Sequence, residues 1–206
     1  LDNQHRLEDM GLHPLPVFHV NEPWEYLEHY LEKYNYIALG GMVAYKKRKY
    51  HLIPWIIKAF KMLGLGQGYH GFGTTSWAIM KSFPWWSVDS SSWTSAVAYG
   101  RAIVFSLRKG LLQFSVNNTL SCFNVRNDLK RLGFNWEDFA KPTDDPLFGQ
   151  HSVLRQKLLA LSAKSFIEAE MWLNRRHGNG AIYLSHPLSA GPESYQAMLK
   201  AGGTDG

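Results

Sequence analysis

In the stretch "SVDSSSW", a lone carboxylate, Asp89, closes the apolar run "FPWWSV" and is followed by Ser90, Ser91 and Ser92. Asp89 can N-cap a helix starting in "SSSWTSAVAYG". Alternatively, it can do chemistry, because a carboxylate held at a strand end is a ready nucleophile. Upstream, "YHGFGTT" sets His70 beside Gly71, Phe72 and Gly73, and "LPVFHV" ends near His19. The histidines are either satisfied core or rim residues or catalytic bases, and the glycines are compatible with a simple tight turn. "YIALGGMV" brings Gly40, Gly41 and Met42, and the basic run Lys46, Lys47, Arg48 and Lys49 follows closely. Such a run is either a solvated loop or a holder of phosphates.

The elements that must position these residues alternate. Short apolar strands are expected at Leu15–Val20, Tyr36–Gly40, Tyr69–Gly71 and Trp86–Asp89, each followed by a helical stretch. In "EPWEYLEHYLEKY", Pro23 opens a helix with Trp24, Leu27, Tyr30, Leu31 and Tyr34 at helical spacing. The strands are nearly continuously apolar, as in a parallel sheet buried on both faces. Such units build an open doubly wound sheet or a barrel. Polar residues and glycines cluster after each strand: His19 and Asn21, Gly40 and Gly41, Gly71 and Gly73, Asp89 and Ser90. In a (β/α) barrel, that C-terminal rim is where sites are built, and four units make half a barrel.

Past Trp93 the pattern changes. "SAVAYGRAIVFSL" is expected to be a helix or an irregular apolar segment, and "NVRNDLKRLG" a short helix. A long helix follows, with Leu154, Leu158, Leu161, Phe166, Ala169 and Leu173 as its apolar stripe. The expected organisation is an α/β barrel half over residues 1–115 and a helical extension over 116–206.

Hydrophobic residues make up 45% of the 206 and charged residues 19%, which excludes a disordered chain. The net charge of +5 permits a polyanionic partner without demanding one. A single cysteine, Cys122, supports neither an internal disulfide nor a thiolate zinc site, so no metal or other cofactor is expected. No apolar run is long enough to span a bilayer, so no membrane partner is expected. The chain opens on Leu1, and is expected to be processed or part of something longer.

In order and spacing, "GLHPLPVFHVNEP", "YIALGGMV", "YHGFGTTS" and "SVDSSSW" resemble the closing half of the queuine tRNA-ribosyltransferase barrel. They are most similar to its phage and bacterial DNA-modifying relatives, the deoxypurine-in-DNA protein A group. The resemblance covers roughly the first half of the chain. It implies a (β/α) barrel that exchanges guanine for a 7-deazaguanine through a covalent aspartyl-glycosyl intermediate. Asp89 falls on the nucleophile. Gly40, Gly41 and Met42 fall on the segment whose backbone lines the base pocket. His70, Gly71, Phe72 and Gly73 fall on the glycine-bearing strand beside the base, and His19 falls near a base-contacting glutamine. The family's general acid/base motif, Asp-Ser-Gly, is not found here. Its Cys-rich zinc site is missing too, which favours the DNA-modifying branch over a tRNA enzyme.

The resemblance further implies DNA and a free 7-deazaguanine as partners. The missing half-barrel would come from elsewhere in a longer chain, from another chain or from a second copy. A setting in the cytoplasm of a phage-infected cell, or in the virion, follows. A duplex hides C1′, so the target base must be flipped or single-stranded. Phe72, Trp86 and Trp93 are candidate stacking surfaces, and Lys46 to Lys49 candidate phosphate contacts. The other class of function is a phage nucleic-acid-binding or virion-associated protein that kept the barrel half without its catalysis.

Overall fold

A computed structural model describes residues 2–45, 49–74, 76–140, 152–177 and 181–184. The contacts divide the chain into two compact units: residues 1–89 with 179–181, and residues 90–178 with 182–206.

The first unit opens with α1 (Asp2–Asp9) and alternates from there. β1 (Val17–His19) leads to α2 (Trp24–Lys33), and β2 (Tyr36–Gly40) to a 3-10 turn (Met42–Tyr45) and α3 (Lys49–Lys61). β3 (Gly68–Gly71) leads to α4 (Trp77–Ser82), and β4 (Ser87–Ser90) completes the alternation. Pro23 stands just ahead of α2 with φ −56°, the value its ring imposes. α3 carries Pro54 in its interior.

β1, β2, β3 and β4 are neighbours in sequence order, and each adjacent pair is parallel. The chain is therefore mixed α/β with a four-stranded parallel sheet. The registers pair His19 with Gly40, Leu39 with Gly71, and Gly71 with Val88, so all four C-terminal ends lie at one edge. A further short strand, β7, spans Ala181–Leu184.

Successive strand residues point to opposite faces. Phe18, Ile37, Leu39, Tyr69 and Val88 share one face, and all are buried. The helices cover this face. Phe18 stacks on Trp55 of α3 at 5.6 Å and lies 5.3 Å from Trp24 of α2. Tyr69 Oη donates to Ala59 O at 3.0 Å, and its ring meets Phe60 edge-on at 5.2 Å. Trp85 Nε1 donates to Ile79 O of α4.

The second unit begins with α5 (Ser92–Ala98) and a hairpin of β5 (Arg101–Ser106) and β6 (Gly110–Ser115). Of "SAVAYGRAIVFSL", the opening "SAVA" lies in α5 as expected, but the expectation needs correction for "RAIVFS", which is neither helical nor irregular but a strand. Gly100, with φ +64°, ends the helix, and the β-branched and aromatic residues Ile103, Val104 and Phe105 then extend. Burial on both faces removes the polar alternation that would have marked it. Short helices α6 (Thr119–Asn124), α7 (Arg126–Arg131) and α8 (Glu137–Ala140) precede the long α9 (Val153–His177). α9 packs on β5 and α5, and the six stripe residues expected from the sequence are all buried. Ser162 Oγ on α9 accepts the Ile103 N–H at 3.1 Å.

Candidate functional site

The face of the sheet opposite the helices carries a different set of residues: His19, Tyr36, Ala38, Gly40, Gly68, His70, Ser87 and Asp89. Two of the glycines serve close approach. A Cβ on Gly68 would lie 2.1 Å from the Trp86 ring, and one on Gly40 would lie 2.8 Å from the His19 ring.

Asp89 lies within β4, and Ser91 occupies the residue flanking α5, which is the N-cap position. The Asp89 carboxylate instead reaches sideways to β3 and the loop after it. Its Oδ1 accepts the Gly73 N–H at 2.6 Å and stands 3.4 Å from His70 Nε2. The Asp89 side chain is one-quarter exposed, so it is anchored yet reachable.

His70 is buried, with 6% of its surface exposed. Its Nδ1 is 2.6 Å from Ser87 Oγ, and Ser87 Oγ also hydrogen-bonds the Tyr36 hydroxyl. The Tyr36 ring stacks on Trp86 at 5.9 Å and meets His70 edge-on at 6.3 Å. Phe72 also meets His70 edge-on, at 4.8 Å, and is exposed.

The rest of the rim is continuous with this cluster. Gly73 has φ +60°, and a Cβ there would come within 2.8 Å of Val43 Cγ2, in the turn that holds buried Met42. Gly41, with φ +75°, makes the turn out of β2, and Phe72 N–H donates to Leu39 O. His19 is half exposed, and its backbone N–H donates to Glu22 Oε2 at 2.7 Å. Asn21 Nδ2 donates to the Tyr45 hydroxyl, tying the loop after β1 to the turn after β2.

His19, Gly40, Gly41, Met42, His70, Gly71, Phe72, Gly73 and Asp89 thus gather at the C-terminal ends of four neighbouring strands. Lys46, Lys47 and Arg48 lie outside the described residues; Lys49 opens α3, and its side chain lies outside them too. Of the three candidate stacking rings, Phe72 is exposed, Trp86 is half buried against Tyr36, and Trp93 is fully buried. Trp93 is therefore a packing residue, not a stacking surface.

Tyr36 and Ser87 escaped the sequence reading. The available signal was alternation: Ser87 sits two residues before Asp89 and therefore on its face. Among the described residues, no group of three or more His, Cys, Asp or Glu could hold a metal, and no helix is long and apolar enough to cross a membrane. No known protein family, curated protein or solved structure matches the chain.

Proposed function

We propose that the chain is the C-terminal half-barrel of a guanine transglycosylase that exchanges guanine in DNA for a 7-deazaguanine derivative. The observation that carries this reading is Asp89 at the C-terminal rim, its Oδ1 held by Gly73 N–H beside His70. Strand order supports the half-barrel. A doubly wound sheet reverses its order, with helices on both faces, whereas right-handed crossovers in unbroken order put every helix on one face. β1 to β4 run in unbroken order, and α2 and α3 pack on one face.

In the proposed reaction, Asp89 attacks C1′ of a flipped deoxyguanosine as the C1′–N9 bond breaks, and the departing guanine takes up a proton. The incoming 7-deazaguanine gives up its N9 proton and attacks the same carbon from the opposite side. The C1′–N9 bond re-forms, the aspartyl ester breaks, and configuration is retained after two inversions. Phe72, exposed beside His70, offers a surface for the flipped base. Gly41 and Gly73 let backbone approach the base without a Cβ in the way. An N-terminal half-barrel, from the same gene product or another chain, would supply the proton donor.

The test is mass analysis of nucleosides from DNA incubated with the full-length protein and free 7-deazaguanine, with tRNA as a parallel substrate. Appearance of 7-deaza-2′-deoxyguanosine is the expected result. Exchange only in tRNA would move the substrate. Binding of DNA without exchange in either would replace the enzyme with a nucleic-acid-binding protein.

A further inference from the structure

We infer that Tyr36, Ser87 and His70 form a fixed hydrogen-bonded chain that positions Asp89 by presenting the N–H of His70 Nε2 to its carboxylate. The inference deepens the transglycosylase reading and depends on it only where exchange is the readout.

For a neutral His70 ring, the polarity of the chain follows from counting donors. An ionised carboxylate can only accept, and Asp89 Oδ1, which accepts Gly73 N–H, stands 3.4 Å from His70 Nε2, so a proton on Nε2 is the arrangement that suits the pair. A neutral imidazole has one donor and one acceptor nitrogen. With the proton on Nε2, Nδ1 must accept, and Ser87 Oγ at 2.6 Å must give its proton to it. A hydroxyl has one proton, so Ser87 can only accept from its other partner, the Tyr36 hydroxyl. Every link is then satisfied in one direction: Tyr36 to Ser87, Ser87 to His70, His70 to Asp89. The reverse direction would aim the Nε2 lone pair at a carboxylate.

The chain is also held mechanically. Ser87 is 2% exposed and His70 6%, so water competes little for either. Gly68 has no Cβ, which lets the Trp86 ring lie flat over β3 and stack on Tyr36. Phe72 and Tyr36 both meet His70 edge-on and limit the tilt of its ring. Three polar side chains from three strands, on one face and ending at the rim carboxylate, exceed what packing asks of a sheet interior. Apolar residues would serve packing better.

The experiment has two arms. The first reads the imidazole nitrogen shifts of 15N-histidine-labelled protein, with His70→Gln identifying the His70 signals. The expected result is a proton on Nε2 and none on Nδ1, with Ser87→Ala moving the ring toward a mixture of tautomers. A wild-type ring protonated on Nδ1, or a tautomer indifferent to Ser87→Ala, overturns the proposal. The second arm measures the rate at which the covalent DNA adduct is trapped. His70→Phe is expected to slow trapping on the order of a hundredfold, because it leaves Asp89 held by Gly73 N–H alone, and a nucleophile misplaced by about 1 Å costs that much. His70→Gln, whose amide N–H can take the place of Nε2, should recover most of the rate. Trapping as fast in His70→Phe as in wild type also overturns the proposal. If wild type exchanges neither DNA nor tRNA, the transglycosylase reading fails by itself, and the tautomer arm alone decides the chain.

Discussion

The two faces of the four-stranded sheet differ in kind: one is apolar packing, the other carries the polar residues to which the proposed chemistry is assigned. On the helix side, Phe18, Ile37, Leu39 and Tyr69 are at most 1% exposed, and rings from α2 and α3 close over them. On the other side, Tyr36, Ser87, His70 and Asp89 share the opposite face of the same strands: hydrogen bonds join Tyr36 to Ser87 and Ser87 to His70, and His70 Nε2 stands 3.4 Å from Asp89. A strand's period of two lets one backbone serve both demands. Neighbours in sequence, such as Tyr69 and His70, or Val88 and Asp89, should therefore behave as though they belonged to different proteins when mutated.

The largest effect should come from the polar face and touch activity alone. Asp89→Asn keeps shape and volume but removes the charge that attacks in the proposed reaction, and the hydroxyls of "SSS" lack an adjacent base to activate them. Exchange and adduct trapping should fall on the order of 10⁴-fold or more. The melting temperature should stay nearly unchanged, since Asn can still accept from Gly73 N–H. Full activity in the variant would return Asp89 to a structural role.

Next comes the helix face, with the signature reversed. Phe18 is fully buried between Trp24 and Trp55, so Phe18→Ala should cost about 3–5 kcal/mol of unfolding free energy. The folded fraction should trap adduct at the wild-type rate. A denaturant titration paired with a trapping assay would break the comparison if this variant lost activity out of proportion to its folded fraction.

Gly73 joins the two demands, since its N–H holds Asp89 while its backbone sits at φ +60°. Gly73→Ala should cost about 1–2 kcal/mol for the left-handed conformation alone. A further loss is expected from the new Cβ 2.8 Å from Val43 Cγ2. In a Val43→Ala background the steric part should vanish and the conformational part remain, which a double-mutant cycle can read.

How far these assignments were legible beforehand differs along the chain. The first four strands are bracketed by proline and glycine and separated by helical spacing, so their order and common rim could be read. β5 could not, because Ala102 to Phe105 are buried on both sides and present no alternation. Asp89 and His70 stood out as isolated polar residues in greasy runs. Their link through Tyr36 and Ser87 did not, because Tyr36 and Ser87 are 51 residues apart and meet only through the registers of β2, β3 and β4. Local propensity contains no register, so a cross-strand polar chain emerges only once the sheet is assembled.

The smallest predicted effect tests the helix face where it is least apolar. Tyr69 neighbours His70, yet its hydroxyl points the other way and donates to Ala59 O at 3.0 Å. Tyr69→Phe keeps the ring and leaves that carbonyl without the phenol's bond, so about 1 kcal/mol should be lost. Exchange should not change. A second signature lies in alkali. Burial pushes the Tyr69 phenol far above its ordinary value of 10, so the folded state holds the proton after the unfolded chain has released it. Above pH 10 the unfolded state therefore binds fewer protons, and stability must fall as pH rises, by up to ~1.4 kcal/mol per pH unit from this one group. Burial also raises Tyr30 and Tyr34, so wild type should lose stability along several such limbs. Tyr69→Phe should lose it less steeply, and the two unfolding curves should converge as pH climbs past 10. Parallel curves would mean that the phenol is hydrated in the folded protein. The helix face would then be open to water at its centre, and the division between the faces would fail where it is drawn most sharply.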